Sequence, residues 1–185
     1  MIDETLLEAE EKMDKAVAVA REDFGTIRTG RATPAMFAKM MVDYYGTPTP
    51  VNQLAGISVP ESRMLVIQPW DKGSMAAIEK AIMKSDLGIT PSNDGQVIRL
   101  GIPPLTEERR KQMVKQVHSL VEEGKVSVRN VRRDALASAK ELAGDKLVSE
   151  DEERRASTQV DEMTKRFVDE IERVGKAKEA EVLEV

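Results

Sequence analysis

The segment that decides the fold of this chain lies near position 130 and reads Lys125-Val126-Ser127-Val128-Arg129-Asn130-Val131-Arg132-Arg133-Asp134-Ala135. Around it, between Leu105 and Leu147, small or apolar residues recur every three or four positions, which places their side chains on one face of a helix. These residues are Met113, Val117, Leu120, Gly124, Val128, Val131, Ala135, Ala139 and Leu142. The pattern predicts a helix of roughly 40 residues and about 60 Å, with Thr106 as its N-cap.

Basic residues form a second pattern on this helix, beside the apolar one. At about 100° per residue, seven of them fall within about a third of the circumference: Lys111, Lys115, Lys125, Arg129, Arg132, Arg133 and Lys140. We expect Asp134 to point away from the arginines, whereas Glu107 and Glu122 interrupt the basic face. Arginine suits phosphate because its planar guanidinium group makes bidentate contacts. The arginine cluster (Arg129, Arg132 and Arg133) therefore favours a polyanion-binding surface over an ordinary solvated face of mixed charge.

Composition restricts the class of protein. The 185 residues have a net charge of -5, and they include no cysteine, which excludes disulfides and thiolate chemistry. Residues 105–147 carry 10 basic and 7 acidic side chains, against 4 and 8 in residues 1–30 and 7 and 12 in residues 148–185. A basic helix between two acidic ones can bind a polyanion on one defined face. Without an apolar run of membrane-spanning length or a signal-peptide pattern, we predict a cytoplasmic protein that uses no membrane.

Two further amphipathic helices are predicted, one before and one after the basic helix in the chain. The first is predicted from Asp3 to Thr29, with Asp3 as its cap and Gly30 just past its end; its apolar positions are Leu6, Ala9, Met13, Ala16, Ala20, Phe24 and Ile27. The other begins at a capping box formed by Ser149 and Glu152 and runs to roughly Val182; its apolar positions are Ala156, Val160, Met163, Phe167, Ile171 and Val174. Three long helices with apolar faces bury them most simply as a bundle.

Between the first two helices the sequence has a different character. Strands are predicted at 41–45, 57–59, 64–68 and 97–100, and a short helix at 74–85. The proline-rich residues 46–50 are expected to belong to neither helix nor sheet, residues 91–95 are expected to form a turn, and Trp70 is expected in the core. The fold class is therefore α+β: a long three-helix bundle (residues 1–30 and 105–185) with a small inserted α/β, β-rich domain (residues 31–104).

Both connections to the inserted domain contain glycine or proline. The predicted hinge residues are Gly30, Arg31, Gly101, Ile102, Pro103 and Pro104, and such a two-strand joint permits limited motion. The alternative is that Gly30 only ends a helix and the prolines only end a strand. By helix rise, the arginine cluster lies roughly 35–40 Å from the inserted domain.

Catalytic patterns are absent from the sequence. His118, the sole histidine, has no cysteines near it and is expected to be solvent-exposed or to contact a ribose, so we predict no metal site. Phosphate-binding glycine loops and the nucleophile motif G-x-S-x-G are also missing. We predict no catalytic residue and no cofactor, which disfavours a hydrolase or nuclease. The remaining alternative to a polyanion-binding protein is a helical scaffold that binds a protein partner through the same charged face.

Five blocks of the sequence, in matching order and spread over essentially the whole chain, resemble the bacterial ribosome recycling factor family. They are Ile27-Arg28-Thr29-Gly30-Arg31-Ala32, Tyr44-Tyr45-Gly46-Thr47-Pro48, Asp86-Leu87-Gly88, Pro104-Leu105-Thr106-Glu107-Glu108-Arg109-Arg110 and Val128-Arg129-Asn130-Val131-Arg132-Arg133-Asp134-Ala135. One departure follows the third block, where Ile89-Thr90-Pro91 stands in place of the family's leucine and asparagine before proline.

The resemblance implies an L-shaped, monomeric, non-enzymatic protein that acts after translation termination. It would bind large-subunit ribosomal RNA and, with elongation factor G and GTP hydrolysis, help to separate the ribosomal subunits. The family's essential arginines match Arg129, Arg132 and Arg133, while Arg28 and Arg31 match further basic positions and Lys125 lies on the same basic face. These six residues are the predicted RNA-binding set.

Overall fold

The computed structural model describes residues 1–184, which form two compact units. Unit 1 consists of Met1–Phe24 and Lys115–Glu179, and unit 2 consists of Gly25–Val114 together with residues 180–184. Three long helices and a small antiparallel sheet confirm the predicted α+β class. The predicted domain boundaries at 30/31 and 104/105 stay a prediction.

The long helices are α1 (Ile2–Gly25), α3 (Glu107–Gly144) and α4 (Glu150–Leu183); the short helix α2 spans Met75–Lys84. Two predicted caps are confirmed by their hydrogen bonds. The hydroxyl of Thr106 accepts from the amide of Arg109 at 3.2 Å. The hydroxyl of Ser149 accepts from the amide of Glu152 at 3.2 Å, and the Glu152 carboxylate accepts from the Ser149 amide at 2.7 Å. Two of the backbone amides at the start of α4 are thus satisfied reciprocally.

In unit 1, the three helices pack through small residues. Ala9 of α1, Ala135 of α3 and Val160 of α4 belong to one buried cluster. Gly124 of α3 is also buried, and a Cβ atom added there would lie 3.2 Å from the Ile171 side chain of α4. A Cβ atom on Gly175 of α4 would overlap the side chain of Val121. The two glycines therefore allow α3 and α4 to approach closely.

The first helix departs from its prediction at both ends. It begins at Ile2, one residue before the predicted cap Asp3, and ends at Gly25 instead of Thr29. A glycine just past a helix end commonly adopts a left-handed conformation, but Gly30 lies five residues beyond Gly25 and does not, since the glycines with positive φ are Gly46, Gly88 and Gly95. The helix ends early because residues 27–29 turn inward and are almost fully buried. Within the helix, Val17 is buried at the position predicted for Ala16.

Unit 2 contains a four-stranded antiparallel sheet in the order β3 (Ala55–Glu61), β4 (Met64–Pro69), β6 (Ile98–Gly101) and β5 (Pro91–Asn93). A separate hairpin pairs β1 (Met41–Tyr44) with β2 (Thr47–Pro50). The core of unit 2 is formed by fully buried side chains of the sheet, of α2 and of the segment before β3. They include Phe37, Val42, Val51, Leu65, Ile67, Ile78, Ile82, Ile98 and Leu100.

Three predictions in this region are wrong. Residues 47–50 form strand β2 despite two prolines, because a two-stranded hairpin has a free edge where a missing N–H is tolerated. Residues 91–93 form the short edge strand β5, not a turn. Trp70 is 70% exposed. Leu65, Ile67 and Pro69 of β4 point inward, and alternation along the strand then places the following residue outside.

Within residues 1–184, none of the helices is long and apolar enough to cross a membrane.

Candidate nucleic-acid interface

The arginine cluster lies on the outer side of α3, in unit 1. Val128 and Ala135 are buried, and the helical repeat then turns Arg129 and Arg133 outward. The Arg133 side chain is 76% exposed and the Arg132 side chain 43%. The periodicity of α3 therefore presents three guanidinium groups within about one turn of helix.

Exposed carboxylates partly neutralise this cluster. Nε of Arg132 lies 2.6 Å from Oδ1 of Asp161 on α4, and Nε of Arg133 lies 4.0 Å from Oδ1 of Asp134. The expectation that Asp134 points away from the arginines is therefore wrong for Arg133. Ion pairs between exposed groups contribute about 0–1 kcal/mol. A phosphate can replace such a carboxylate at little free-energy cost.

Lys125 has a different environment from the arginines. Its side chain is only 14% exposed, and its Nζ lies 2.5 Å from Glu172 and 3.2 Å from Glu122. Hydrogen bonds to Glu172 and Glu122 raise the pKa of Lys125, and the Lys125 ammonium lowers the pKa of Glu172. The charge of Lys125 is thus matched inside unit 1, beside the arginine cluster.

Arg28, in unit 2, is buried. Its Nη1 donates to the carbonyl of Leu87 at 2.9 Å, and its Nη2 donates to the carbonyl of Pro103 at 2.6 Å. Desolvation, with a smaller contribution from Arg109, lowers the pKa of Arg28. Its Nε is buried and has no hydrogen-bond partner among residues 1–184. A guanidinium group held in this way is positioned to join backbone segments, and we leave Arg28 out of the RNA-binding set.

Arg31 lies three residues further on and is exposed. Its side chain is 73% exposed, and one Nη atom is 3.4 Å from Glu184. Arg31 therefore remains available to a phosphate, although it belongs to unit 2 and the arginine cluster belongs to unit 1.

The predicted hinge residues all lie in unit 2 and differ in how firmly they are held. The amide of Ile102 donates to the backbone carbonyl of Arg63 at 2.8 Å, and Ile102 is buried. The carbonyl of Pro103 accepts from the guanidinium of Arg28. By contrast, a Cβ atom added to Gly30 or Gly101 would meet no described residue within 4 Å. Gly101 is, however, the last residue of β6 and pairs with Met64 of β4, so Gly30 is the less constrained of the two glycines.

Sequence reasoning missed the acidic partners on α4. Asp161 and Glu172 are 11 residues apart, which is close to three helical turns, so they lie on the same face of α4. In the sequence, this spacing could have predicted that both carboxylates lie on one face of α4. His118, expected to be exposed on the basic flank, is exposed but also lies 3.0 Å from Glu179.

Residues 1–184 contain no group of three or more histidine, aspartate or glutamate side chains placed to hold a metal ion. The long helices, the inserted sheet and the exposed arginine cluster define an α+β binding protein whose surface chemistry suits a phosphate-bearing partner.

Comparison with known proteins gives the family. The model of the ribosome recycling factor family matches residues 20–183, and the chain belongs to this family. It is 55% identical to the ribosome-recycling factor of Carboxydothermus hydrogenoformans and 57% identical to that of Acidothermus cellulolyticus, in each case over 185 residues and 100% of both chains. Members of the family are translation factors and not enzymes.

Two solved structures have the same fold. A solution structure of the ribosome recycling factor aligns with a TM-score of 0.74 and 43% identity, covering 100% of this chain and 98% of the other. The second contains models for the T. thermophilus ribosome recycling factor and the E. coli elongation factor G bound to the E. coli post-termination complex. It aligns with a TM-score of 0.67 and 42% identity, covering 100% of both chains.

Proposed function

We propose that this chain binds the large ribosomal subunit after termination and, with elongation factor G and GTP hydrolysis, promotes splitting of the post-termination ribosome into subunits. The observation that carries the proposal is the exposed arginine cluster of α3, whose carboxylate partners are themselves exposed. The related ribosome recycling factor bound to the post-termination complex supports the choice of ribosomal RNA as the polyanion.

Binding would proceed by exchange of ionic partners. Phosphates of ribosomal RNA would take the place of Asp161 at Arg132 and of Asp134 at Arg133, and each guanidinium can offer a phosphate two parallel hydrogen bonds. Lys125 would stay with Glu172 and Glu122, which balance its charge, and would not itself bind a phosphate. The chain would supply binding and positioning, and the GTPase would supply the energy.

Rigidity of the bundle would be part of this function. A push from the GTPase on the inserted domain can disturb contacts between the subunits only if the bundle does not bend. The close approach of α3 and α4 at Gly124 and Gly175 favours such stiffness, because tightly packed helices resist deformation.

The RNA contact is tested by sedimentation with purified large subunits at two salt concentrations. Changing Arg129, Arg132 and Arg133 together to glutamate should abolish co-sedimentation while the melting temperature stays unchanged, because all three side chains are on the surface. Lys15→Glu, a charge reversal at an exposed position of α1, is the matched control and should bind as wild type does.

Two outcomes would contradict this part of the proposal. Undiminished binding of the triple variant would exclude the arginine cluster as the anchor. Binding that does not weaken at the higher salt concentration would favour a protein docking site, as in the helical-scaffold alternative.

We also propose that motion at Gly30 and Gly101 contributes to splitting. Both positions have room for a methyl group, so Gly30→Ala with Gly101→Ala should leave the fold intact and restrict only the backbone. We expect slower splitting with unchanged large-subunit binding. Gly56→Ala, in β3 and equally free of contacts among the described residues, is the control. A double variant that splits ribosomes at the wild-type rate would exclude a hinge at these glycines.

We propose, finally, that the protein works as a cytoplasmic monomer. Light scattering coupled to size exclusion should give a mass near 20.5 kDa, and a mass twice as large would refute the monomer.

A further inference from the structure

Ion pairs connect α3 and α4 at a regular interval along unit 1. Nε2 of His118 lies 3.0 Å from Glu179, and Nζ of Lys125 lies 2.5 Å from Glu172. The two residues on α3 are seven positions apart, and so are the two residues on α4. Seven residues make about two helical turns, so each step returns to the same side of its helix. The pairs run in opposite directions along the two helices, as in antiparallel neighbours.

The next step of this repeat reaches the arginine cluster. Seven residues beyond Lys125 is Arg132, and seven residues before Glu172 is Lys165. The two earlier steps have a glutamate on α4, whereas this step has a lysine, which the repeat places opposite an arginine. Arg132 finds its carboxylate about one turn further along α4, where its Nε lies 2.6 Å from Oδ1 of Asp161.

Lys165 is exposed and has no carboxylate of its own. Among residues 1–184, no ion pair includes its ammonium group. Asp161 lies four positions before Lys165 on α4, a spacing that ordinarily favours an ion pair with lysine, but Asp161 bonds to Arg132 instead. Asp169, four positions after Lys165, does not pair with it either in the described structure. A single carboxylate therefore serves two cations at this level of the groove.

Positive charge is in excess at this end of the groove between α3 and α4. Lys125 lowers the pKa of Glu172 most strongly, and Arg129 adds a smaller contribution, so Arg129 also lies close to this groove. Like charges on two packed helices repel each other. The stability of the bundle therefore does not explain a lysine at position 165, where a glutamate would pair with Arg132 as the earlier glutamates pair with their partners.

An anion bound between the two helices does explain it. A phosphate has several negatively charged oxygens, so it can accept hydrogen bonds from a guanidinium group on α3 and from an ammonium group on α4 together. We propose that Lys165 is a further RNA-contact residue, and that a phosphate of ribosomal RNA binds between Arg132 and Lys165. This role rests on the proposed function, which supplies the RNA, and it extends the RNA-binding surface from α3 to α4.

The first test is Lys165→Glu, which continues the repeat of glutamates on α4. We expect a melting temperature equal to or above that of wild type, because the introduced carboxylate can pair with Arg132. In co-sedimentation with purified large subunits, we expect the affinity to fall at least tenfold, because the same carboxylate repels phosphate. A side chain that only supported the fold would show a loss of stability instead.

Arg173→Glu is the matched control. It makes the same change of net charge on the same helix, at an exposed position about 80° around α4 from Lys165. This variant should bind large subunits nearly as wild type does. Lys165→Arg, which keeps a cation at position 165, should retain the affinity. Equal affinities of Lys165→Glu and Arg173→Glu would overturn the proposal.

Salt dependence shows whether the contact is made to a phosphate. Lys165→Gln removes the charge without reversing it, so the slope of log affinity against log salt should become shallower by about 0.7–0.9. An affinity that falls with the slope of wild type would indicate a contact with a ribosomal protein and would overturn the proposal. The slope decides the matter even if Lys165→Glu proves less stable than wild type.

The same sedimentation series separates this contact from the proposed function. If wild type binds, the triple arginine variant does not, and the Lys165 variants bind as wild type does, then the RNA contact of α3 stands and its extension to α4 is refuted. If wild type does not bind large subunits, the proposed function fails and the role of Lys165 fails with it.

Discussion

Arg28 and Arg31 lie three positions apart, yet one is buried and the other is exposed. Arg28 donates to two backbone carbonyls, at Leu87 and Pro103, whereas the side chain of Arg31 is mostly in water near Glu184. Hydrogen bonds from a charged donor contribute about 1.5–3 kcal/mol each when they are well formed. Arg28 therefore stabilises unit 2, and Arg31 contributes little to stability.

We predict that Arg28→Lys lowers the free energy of unfolding by about 2 kcal/mol, because one ammonium cannot reach both carbonyls as the guanidinium fork does. Urea denaturation measures the effect. Arg31→Lys, at an exposed position, is the matched control and should change stability by less than about 0.5 kcal/mol. Equal stabilities of the two variants would show that the buried contacts of Arg28 are not needed.

Asp161→Asn tests whether Arg132 exchanges its carboxylate for a phosphate. The change keeps the shape of the side chain and removes its negative charge beside Arg132. Because the pair is exposed, the loss of stability should be below about 1 kcal/mol, while large-subunit affinity should rise severalfold at low salt. The measurement is co-sedimentation with large subunits, and unchanged or weaker affinity would indicate that Arg132 does not contact RNA.

The contrast between these arginines shows what a sequence can predict at this scale. Exposure of Arg129 and Arg133 follows from helical periodicity, because buried Val128 and Ala135 fix the orientation of α3. Burial of Arg28 depends on carbonyls 59 and 75 residues away, which no local pattern contains. The exposure of Trp70 was predictable in principle, from the inward alternation of Leu65, Ile67 and Pro69.

Among the elements, α3 and α4 depend on glycine at the places where they meet. Glycine in a helix interior costs about 1 kcal/mol relative to alanine, so a buried helical glycine needs a packing reason. Gly175 has one, because a Cβ atom would overlap Val121 and also lie 3.6 Å from Phe24 of α1. For Gly124 the packing reason is that a Cβ atom would crowd the side chains of Ile171 and Ala20.

Gly175→Ala should therefore destabilise the chain by about 1–3 kcal/mol through overpacking, despite the better helix propensity of alanine. Thermal and chemical denaturation measure this change. Gly144→Ala, at the last residue of α3 and with open space around it among residues 1–184, should be neutral or slightly stabilising. A Gly175→Ala protein as stable as wild type would mean that the helices can separate to admit a methyl group.

The loop between β5 and β6 depends on the ionisation of Asp94. Its carboxylate accepts from the amides of Val97 and Gln96 and from Arg99, which lowers the pKa of Asp94 from 3.8 to about 2. A carboxyl group whose pKa is lower in the folded state contributes stability above its unfolded pKa and loses it as pH falls through the folded value.

We predict that amide exchange of Gln96 and Val97 accelerates between about pH 4 and 2, beyond the intrinsic pH dependence of exchange. Asp94→Asn should remove this transition, and nuclear magnetic resonance titration of the wild-type carboxyl should give the pKa of about 2 directly. A carboxyl that titrates near 3.8 would contradict the prediction.

Helices and strands were predictable where the hydrophobic periodicity is strong. They were unpredictable where pairing with a distant strand determines the secondary structure. The three long helices follow from repeats of three and four residues, and the N-caps of α3 and α4 follow from Thr106 and from Ser149 with Glu152. Strands β2 and β5 contain proline and are stabilised by their partners β1 and β6. Their own residues suggest loops, so only the tertiary pairing shows that they are strands.

For the whole molecule, the proposed RNA contact predicts a dependence of affinity on salt. Neutralising a phosphate releases counterions, and each contact adds roughly 0.7–0.9 to the negative slope of log affinity against log salt. Three arginine contacts should give a slope of about -2 to -3, and Arg132→Ala should make it shallower by about 1. Both slopes, that of wild type and that of the variant, are measured from the affinity for large subunits between about 50 and 200 mM salt. Identical slopes for variant and wild type would exclude a phosphate contact by Arg132.

Each compact unit combines residues from distant parts of the chain. Unit 1 needs residues 1–24 together with 115–179, whereas the buried core cluster of unit 2 lies entirely between Ala32 and Ile102.

During synthesis, unit 1 therefore cannot close early. At about 5–20 residues per second, the stretch from 115 to 179 takes roughly 3–13 s to emerge. In that interval the apolar face of α1, with Met13, Val17 and Phe24, lacks the helices that later cover it. A nascent chain halted before α4 should thus be an efficient substrate for chaperones that recognise exposed apolar helices, and release of the last residues should end that dependence.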